Sequence, residues 1–136
     1  MLRILLPLAI LAGPALADTP SWFRKPSGNI HCLVDSSTEG VVVACEIREK
    51  ASSEPLLPKP ADCDLDWGSR FAVGPSGGGY MGCYGDTIQT NWAPVLPYAQ
   101  TAVFGPIACS SSEQGLECRN GEGHGFFLSR ATQRIF

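Results

Sequence analysis

The clearest pattern in the chain is an alternation of apolar and polar residues on both sides of a short polar turn. Folding the chain about Thr38-Glu39 places Cys32 opposite Cys45. One face of this hairpin is then apolar and consists of Ile30, Cys32, Val34, Val43, Cys45 and Ile47. The other face is mostly polar, and a shift of one residue would mix the two faces because side chains alternate along a strand. The pattern predicts a β-hairpin closed by a Cys32–Cys45 disulfide.

A second hairpin is predicted by the same construction nearer the end of the chain. Folding about Glu113-Gln114 places Cys109 opposite Cys118, with Gly115 available for the turn. The two hairpins also share the short pattern G-x-I-x-C, at residues 28–32 and 105–109. This repeat indicates either an internal duplication or two strands that begin in the same way.

The rest of the chain has the pattern of short strands and not of helices. After residue 17, no window of a dozen residues keeps an apolar period of 3.6, whereas short β-rich runs bounded by Gly, Pro and Asn recur. Three prolines exclude a helix between Lys50 and Pro60. Further strands are expected in four places, namely from Asp62 onward, at 80–83, at 98–104 and at 125–129. We expect an all-β sandwich or small barrel of about six to eight strands.

The first seventeen residues have the pattern of a secretory signal peptide. Arg3 precedes an apolar run from Ile4 to Ala12, and Ala15-Leu16-Ala17 ends the segment with the small residues that signal peptidase requires. Cleavage is expected between Ala17 and Asp18, which leaves residues 18–136 as a single domain. The expected location of this domain is the periplasm or the extracellular space.

The composition around this segment excludes several classes of protein. The apolar run has nine residues and contains Pro7, whereas a membrane span needs about 20. The first cysteine is Cys32, so a lipid anchor at the cleavage point is not expected.

Removal of the signal leaves nine Lys and Arg against 13 Asp and Glu, a net charge of −4. Because this charge is mildly acidic and no basic stripe is present, neither nucleic acid nor anionic lipid is an expected partner.

All six cysteines fall after the signal segment, and an even number in an oxidising compartment indicates disulfides. The closest two are separated by eight residues and no C-x-x-C occurs, so the spacing of a zinc site is absent from the sequence. With the two hairpin bonds assigned, Cys63 pairs with Cys83 by elimination. We expect no metal and no other cofactor.

Five segments have motifs that stand out, namely Phe23–Cys32, Cys83–Thr87, Leu96–Tyr98, Cys118–Gly121 and Gly123–Arg130. Together they resemble a family of small exported bacterial proteins whose function is unknown. The resemblance implies export, paired cysteines and one domain, and it supplies no catalytic or binding residue. One departure is Ala99, where glycine is expected after Leu-x-Tyr.

One pattern suggests a serine hydrolase. Gly74-Pro75-Ser76-Gly77-Gly78 fits G-x-S-x-G, and Asp86 and His124 follow in the order of an α/β-hydrolase triad. In an α/β-hydrolase, the serine of this pattern lies in a sharp turn that leads into a helix. Here a glycine run follows the serine, which favours a glycine-rich hairpin loop. His124 lies between two glycines, and we expect it to be structural, with its ring bonded to a backbone carbonyl or to Asp86.

A second pattern suggests a calcium loop. Asp62, Asp64 and Asp66 occupy its first, third and fifth positions, but Trp67 and Val73 stand where glycine and glutamate are required. Strand alternation is the simpler interpretation: Cys63, Leu65 and Trp67 point inward and the three aspartates face water. Weak calcium binding by the three aspartates is the alternative.

The favoured hypothesis is a non-catalytic exported module that binds an envelope protein or polymer. Exposed aromatic residues at loops often make such contacts. The candidate binding residues are Tyr80, Asp86, Trp92, Tyr98 and His124. The alternatives are a small envelope hydrolase that uses His124 with Asp86 or Ser76, and a purely structural envelope component.

Overall fold

A computed structural model describes residues 21–136, which form ten strands in two antiparallel sheets. The first sheet contains β1 (Trp22–Arg24), β2 (Ile30–Ser37), β3 (Gly40–Ile47), β4 (Arg70–Val73) and β5 (Tyr80–Met81). The second contains β6 (Thr101–Phe104), β7 (Ile107–Ser112), β8 (Gly115–Arg119), β9 (Gly125–Leu128) and β10 (Gln133–Ile135). In both sheets, strands that follow one another in the chain are neighbours. The expected signal peptide and its cleavage site lie outside the described residues.

The structure confirms the all-β prediction and has two sheets in place of one closed barrel. The strand count of ten exceeds the expected six to eight because β1 and β10, with three residues each, were not expected, whereas β5 lies within the strand expected at 80–83. Runs this short have no detectable alternation in the sequence. The described residues form no helix, and hence none that is long and apolar enough to cross a bilayer.

Both predicted hairpins have the expected register. Ser37 pairs with Gly40 around the Thr38-Glu39 turn, and every residue of β2 has the partner that the apolar alternation requires. Ser112 pairs with Gly115 around Glu113-Gln114 in the β7–β8 hairpin. The alternation of buried residues therefore determined the register correctly in both cases.

Three disulfides are present, and they join the same cysteines that the sequence pairs. Cys32–Cys45 and Cys109–Cys118 each connect directly opposite residues of a hairpin, with Cα–Cα distances of 4.1 and 4.0 Å. Cys63–Cys83 has a Cα–Cα distance of 5.8 Å and joins the two ends of the segment that contains β4 and β5. This number of disulfides indicates an oxidising, extracytoplasmic setting.

The two sheets share one hydrophobic core. Its fully buried side chains come from both sheets and include Phe23, Ile47, Phe71, Ile107, Leu116 and Phe126. At one side of the core, Phe23 of β1 stacks on Phe104 of β6 with ring centroids 5.5 Å apart. At the other side, the Gly79 N–H donates to the carbonyl of Phe136, 2.9 Å away. The sheets are therefore connected at both pairs of edges.

The strand expected from Asp62 onward begins only at Arg70, as β4, because residues 62–66 form a turn followed by a single bridge. The Cys63 N–H donates to Pro60 O, and only Asp66 pairs with another residue, Tyr84. Cys63 is buried as expected and Trp67 is half-buried, but Leu65 is 55% exposed and does not point inward. Without a continuous strand, strict alternation does not apply.

The strand expected over residues 98–104 begins only at Thr101. The Gln100 N–H donates to Pro97 O, which makes residues 97–100 a turn. Ala99, the third residue of this turn, has a φ of +64° and is the one non-glycine residue with positive φ in residues 21–136. Position 99, where the family resemblance implies glycine, therefore has a backbone conformation that favours glycine.

Candidate functional site

The candidate site is a cleft of about 350 Å³ at one end of the two sheets. It lies where the residues that connect β1 and β2 face the β7–β8 turn. Its walls include Lys25, Asn29, Glu49, Tyr98, Glu113 and Arg130. Its volume is in the range of small-molecule sites, and its lining is polar except for Ile30 and the ring of Tyr98.

Lys25 forms the inner part of the cleft and is only 4% exposed. Phe23 of β1 and Lys25, which directly follows this strand, are buried, whereas Trp22 and Arg24 are half-buried. The Lys25 ammonium donates to Gly115 O at 2.8 Å and to Ser112 O, both in the β7–β8 hairpin. Burial lowers the pKa of Lys25 below its usual value of 10.5.

Tyr98 stands beside Lys25 because its loop is bonded to β1. The Arg24 N–H donates to Pro94 O at 2.9 Å, and the Leu96 N–H donates to Arg24 O at 2.8 Å. Leu96 is buried and anchors the loop. The Lys25 Nζ lies 5.0 Å from the centroid of the Tyr98 ring, and the tyrosine is 41% exposed. The ring therefore contacts a cation and also faces solvent.

Two loops at the outer rim of the cleft are fastened by Asn29. Its side-chain amide donates to Glu49 O at 3.0 Å, and its side-chain oxygen accepts from the Glu49 N–H at 2.8 Å. The Glu49 carboxylate lies 3.6 Å from the Arg130 guanidinium, and both of these side chains are about 70% exposed. Glu113 is exposed in the β7–β8 turn.

The structure brings only one of the five candidate binding residues, Tyr98, into this cleft. Trp92 packs against Trp22, with ring centroids 5.4 Å apart, and is 64% exposed. Tyr80 on β5 is 46% exposed, and Asp86 and His124 are exposed on loops. Lys25, which carries the cleft, has no signal in the sequence, because a lysine followed by a proline and a serine looks like an ordinary surface residue.

The residues of the hydrolase pattern form no bonded group. Within residues 21–136, no side-chain hydrogen bond joins Ser76, Asp86 and His124. The loop of Ser76 is fastened by Asn120, whose side-chain amide donates to Gly77 O at 2.9 Å and to Gly74 O at 3.2 Å. The glycine-rich loop is thus bonded to the β8–β9 turn through backbone carbonyls.

His124 differs from the expected structural role. Its backbone N–H donates to the Asn120 side-chain oxygen at 3.1 Å, and its carbonyl accepts from the Asn120 N–H at 2.8 Å. Its ring is exposed and makes no hydrogen bond within the described residues. The backbone of His124 therefore fastens the turn, and the imidazole does not.

The buried structural histidine is His31, which is 4% exposed. Its Nε2 lies 2.9 Å from Gly28 O, and its Nδ1 accepts from the Thr90 N–H at 3.1 Å. An Nδ1 that accepts carries no proton, so the ring is neutral and Nε2 is the donor. Burial is the main cause that lowers the pKa of His31.

Glu46, opposite His31 in the hairpin, is the centre of a second bonded group. Its carboxylate accepts from the Arg70 guanidinium at 3.0 Å, the Thr87 hydroxyl at 2.8 Å and the Ile88 N–H at 3.1 Å. Burial raises the pKa of Glu46, but these hydrogen bonds outweigh it and hold the pKa below its usual value. These hydrogen bonds fasten residues 87–90 to the first sheet. Both carboxylate oxygens of Glu46 are engaged in them, so neither is free to act as an acid or base.

The aspartates of the calcium-like segment, Asp62, Asp64 and Asp66, are all exposed. In residues 21–136, no three His, Cys, Asp or Glu side chains are arranged to hold a metal ion.

Comparison with known proteins identifies one relationship. The model of a protein family of unknown function matches residues 1–136. No curated protein and no solved structure matches the chain. The comparison therefore supplies no substrate, ligand or partner, and the cleft is the starting point for a functional hypothesis.

Proposed function

The chain belongs to the family of unknown function DUF6636, and we propose that it is an exported, non-catalytic module that binds a polar ligand in the Tyr98 cleft. The observation that carries this proposal is the partly exposed Tyr98 ring beside the buried Lys25 ammonium in a cleft of about 350 Å³. Export is supported by the expected signal peptide and by the three disulfides.

The arrangement is suited to binding and not to chemistry. The polar groups of the buried Glu46 and His31 are engaged in hydrogen bonds that fasten loops. Lys25 is bonded to two backbone carbonyls, and the other charged groups of the cleft are on its exposed rim. An aromatic wall with hydrogen-bonding groups around it is typical of sites that recognise sugars, peptides and similar polar molecules.

The proposal is tested by NMR titration of the oxidised protein with chitotriose, glucuronate and alanyl-alanine. We expect at least one of these probes to shift the amide signals of residues around the cleft, such as Asn29 and Gln114. Tyr98→Ala should weaken that binding about tenfold, since a stacking contact of an aromatic ring contributes on the order of 1 kcal/mol or more.

Tyr80→Ala is the matched control, because Tyr80 is a similarly exposed tyrosine outside the cleft. It should leave the affinity unchanged. The proposal fails if no probe shifts the signals of the cleft, or if Tyr98→Ala and Tyr80→Ala have the same effect.

A further inference from the structure

Lys25 is a buried charge without a counter-ion. Among residues 21–136, no carboxylate lies within ion-pair distance of its ammonium. Lysine is almost never fully buried unless it is paired, because removing the charge from water is costly. Two backbone carbonyls compensate part of this cost and use two of the three N–H groups. One donor is therefore left for a ligand in the cleft that Lys25 lines.

Glu113 is the opposite charge without a partner. It lies on the exposed rim of the same cleft, in the turn directly after Ser112, and belongs to no ion pair among the described residues. The other two charged side chains of the cleft, Glu49 and Arg130, face each other at 3.6 Å and balance each other. The cleft thus has one unpaired positive charge inside and one unpaired negative charge at its rim.

We propose that the ligand of this cleft is a small zwitterion of the amino acid or short peptide class, with its carboxylate on Lys25 and its ammonium near Glu113. This inference rests on the proposed binding function and specifies its ligand. A neutral saccharide would leave both charges unpaired, and a simple anion would leave Glu113 unpaired. The Tyr98 ring, in contact with the Lys25 ammonium, forms the wall along the body of the ligand.

The experiment is isothermal titration calorimetry of the oxidised protein with alanyl-alanine and three related probes. N-acetyl-alanyl-alanine lacks the ammonium, alanyl-alaninamide lacks the carboxylate, and chitotriose is a neutral reference. We expect alanyl-alanine to bind and each capped dipeptide to bind about tenfold or more weakly, because a hydrogen bond to a charged group contributes about 1.5 kcal/mol or more.

The outcomes separate this inference from the proposed function. The proposal of a zwitterionic ligand is wrong if the capped dipeptides bind as well as alanyl-alanine. It is also wrong if only chitotriose binds and does so through Tyr98. In both cases the binding function stands. If none of these four probes binds, the zwitterionic ligand is wrong, and the binding function is wrong as well if glucuronate also leaves the signals of the cleft unshifted.

A variant of Glu113 tests whether the ligand ammonium lies near this residue, and it does so without altering the buried lysine. Glu113→Gln should reduce the affinity for alanyl-alanine to that for the N-acetyl form, and it should leave the affinity for the N-acetyl form unchanged. Glu39→Gln is the control, because Glu39 is an exposed glutamate in the corresponding turn of the other hairpin. An equal effect of Glu113→Gln on alanyl-alanine and on its N-acetyl form would show that the ligand ammonium does not lie near Glu113.

Discussion

Phe71 and Phe126 meet in the core with ring centroids 6.5 Å apart, and each lies opposite a disulfide-bonded cysteine of its own sheet. Phe71 of β4 pairs with Cys45, and Phe126 of β9 pairs with Cys118. In both sheets, therefore, a disulfide joins the second and third strands and a phenylalanine on the fourth strand lies beside it. This correspondence extends the G-x-I-x-C repeat. It favours an internal duplication over two unrelated strands that begin in the same way.

The two rings should be equally important for stability. Each is fully buried, so Phe71→Ala or Phe126→Ala should lower the free energy of unfolding by about 3 to 5 kcal/mol. The double variant should lose less than the sum, by about 0.5 to 1.5 kcal/mol, because the contact between the rings is lost only once. Urea unfolding of the four proteins measures this difference.

Val103→Ala is the control for this series, because Val103 is 58% exposed on β6. It should change the stability by no more than about 0.5 kcal/mol. Full additivity of the two phenylalanine variants would show that the ring contact is without energetic consequence.

Sequence alone predicted the parts of the fold that are determined by neighbours in the chain. The β2–β3 register follows from alternation over eight residues, and Cys32 and Cys45 are only 13 residues apart. The cleft depends on groups far apart in the chain: Lys25 reaches Gly115 across 90 positions. No local pattern encodes such a contact, and only Tyr98 was identified, because it is an aromatic residue next to a proline.

Replacing Ala99 by glycine should stabilise the protein. Ala99 has a φ of +64°, a region in which a Cβ atom costs about 1 kcal/mol and glycine has no such penalty. Ala99→Gly should therefore raise the free energy of unfolding by up to about 1 kcal/mol, measured by urea unfolding. Ala131→Gly, at an exposed position without positive φ, should lower it by a few tenths to about 1 kcal/mol. A loss of stability in Ala99→Gly would contradict this account.

The processed protein should begin at Asp18. Ala15 and Ala17 are the small residues that signal peptidase requires before the cleavage point. Intact mass and N-terminal sequencing of protein isolated from the periplasm or culture fluid measure this directly. Ala17→Gln should block processing, whereas Leu16→Gln should permit it, because the small-residue requirement does not apply to position 16. Recovery of wild-type protein that retains Met1 would disprove the signal peptide.

Acid should destabilise the protein through His31. The neutral ring accepts a hydrogen bond from the Thr90 N–H, and a proton on Nδ1 would remove that acceptor. Burial, with the nearby Arg24 and Arg48, lowers the pKa of His31, although the bond to Gly28 and the charge of Glu46 oppose the effect.

The sign of this effect follows from the lowered pKa of His31. Between its folded pKa and the ordinary value of 6.5, the unfolded chain binds more protons than the folded protein. Stability is therefore fully present above about pH 6.5 and decreases as the pH falls below it. Glu46, whose pKa is also lowered, adds a further loss only below its ordinary value of 4.5. The melting temperature should accordingly be lower at pH 5 than at pH 8.

His31→Gln should make the melting temperature less dependent on pH across this range. A glutamine can present an amide donor toward Gly28 O and an oxygen toward the Thr90 N–H, but it does not bind a proton. His124→Gln is the control, since it removes the exposed histidine and leaves His31 in place. Circular dichroism melts of the three proteins at pH 5 and pH 8 decide the matter. If His31→Gln keeps the slope of the wild type and His124→Gln loses it, the acid sensitivity belongs to the exposed ring and the account of His31 is wrong.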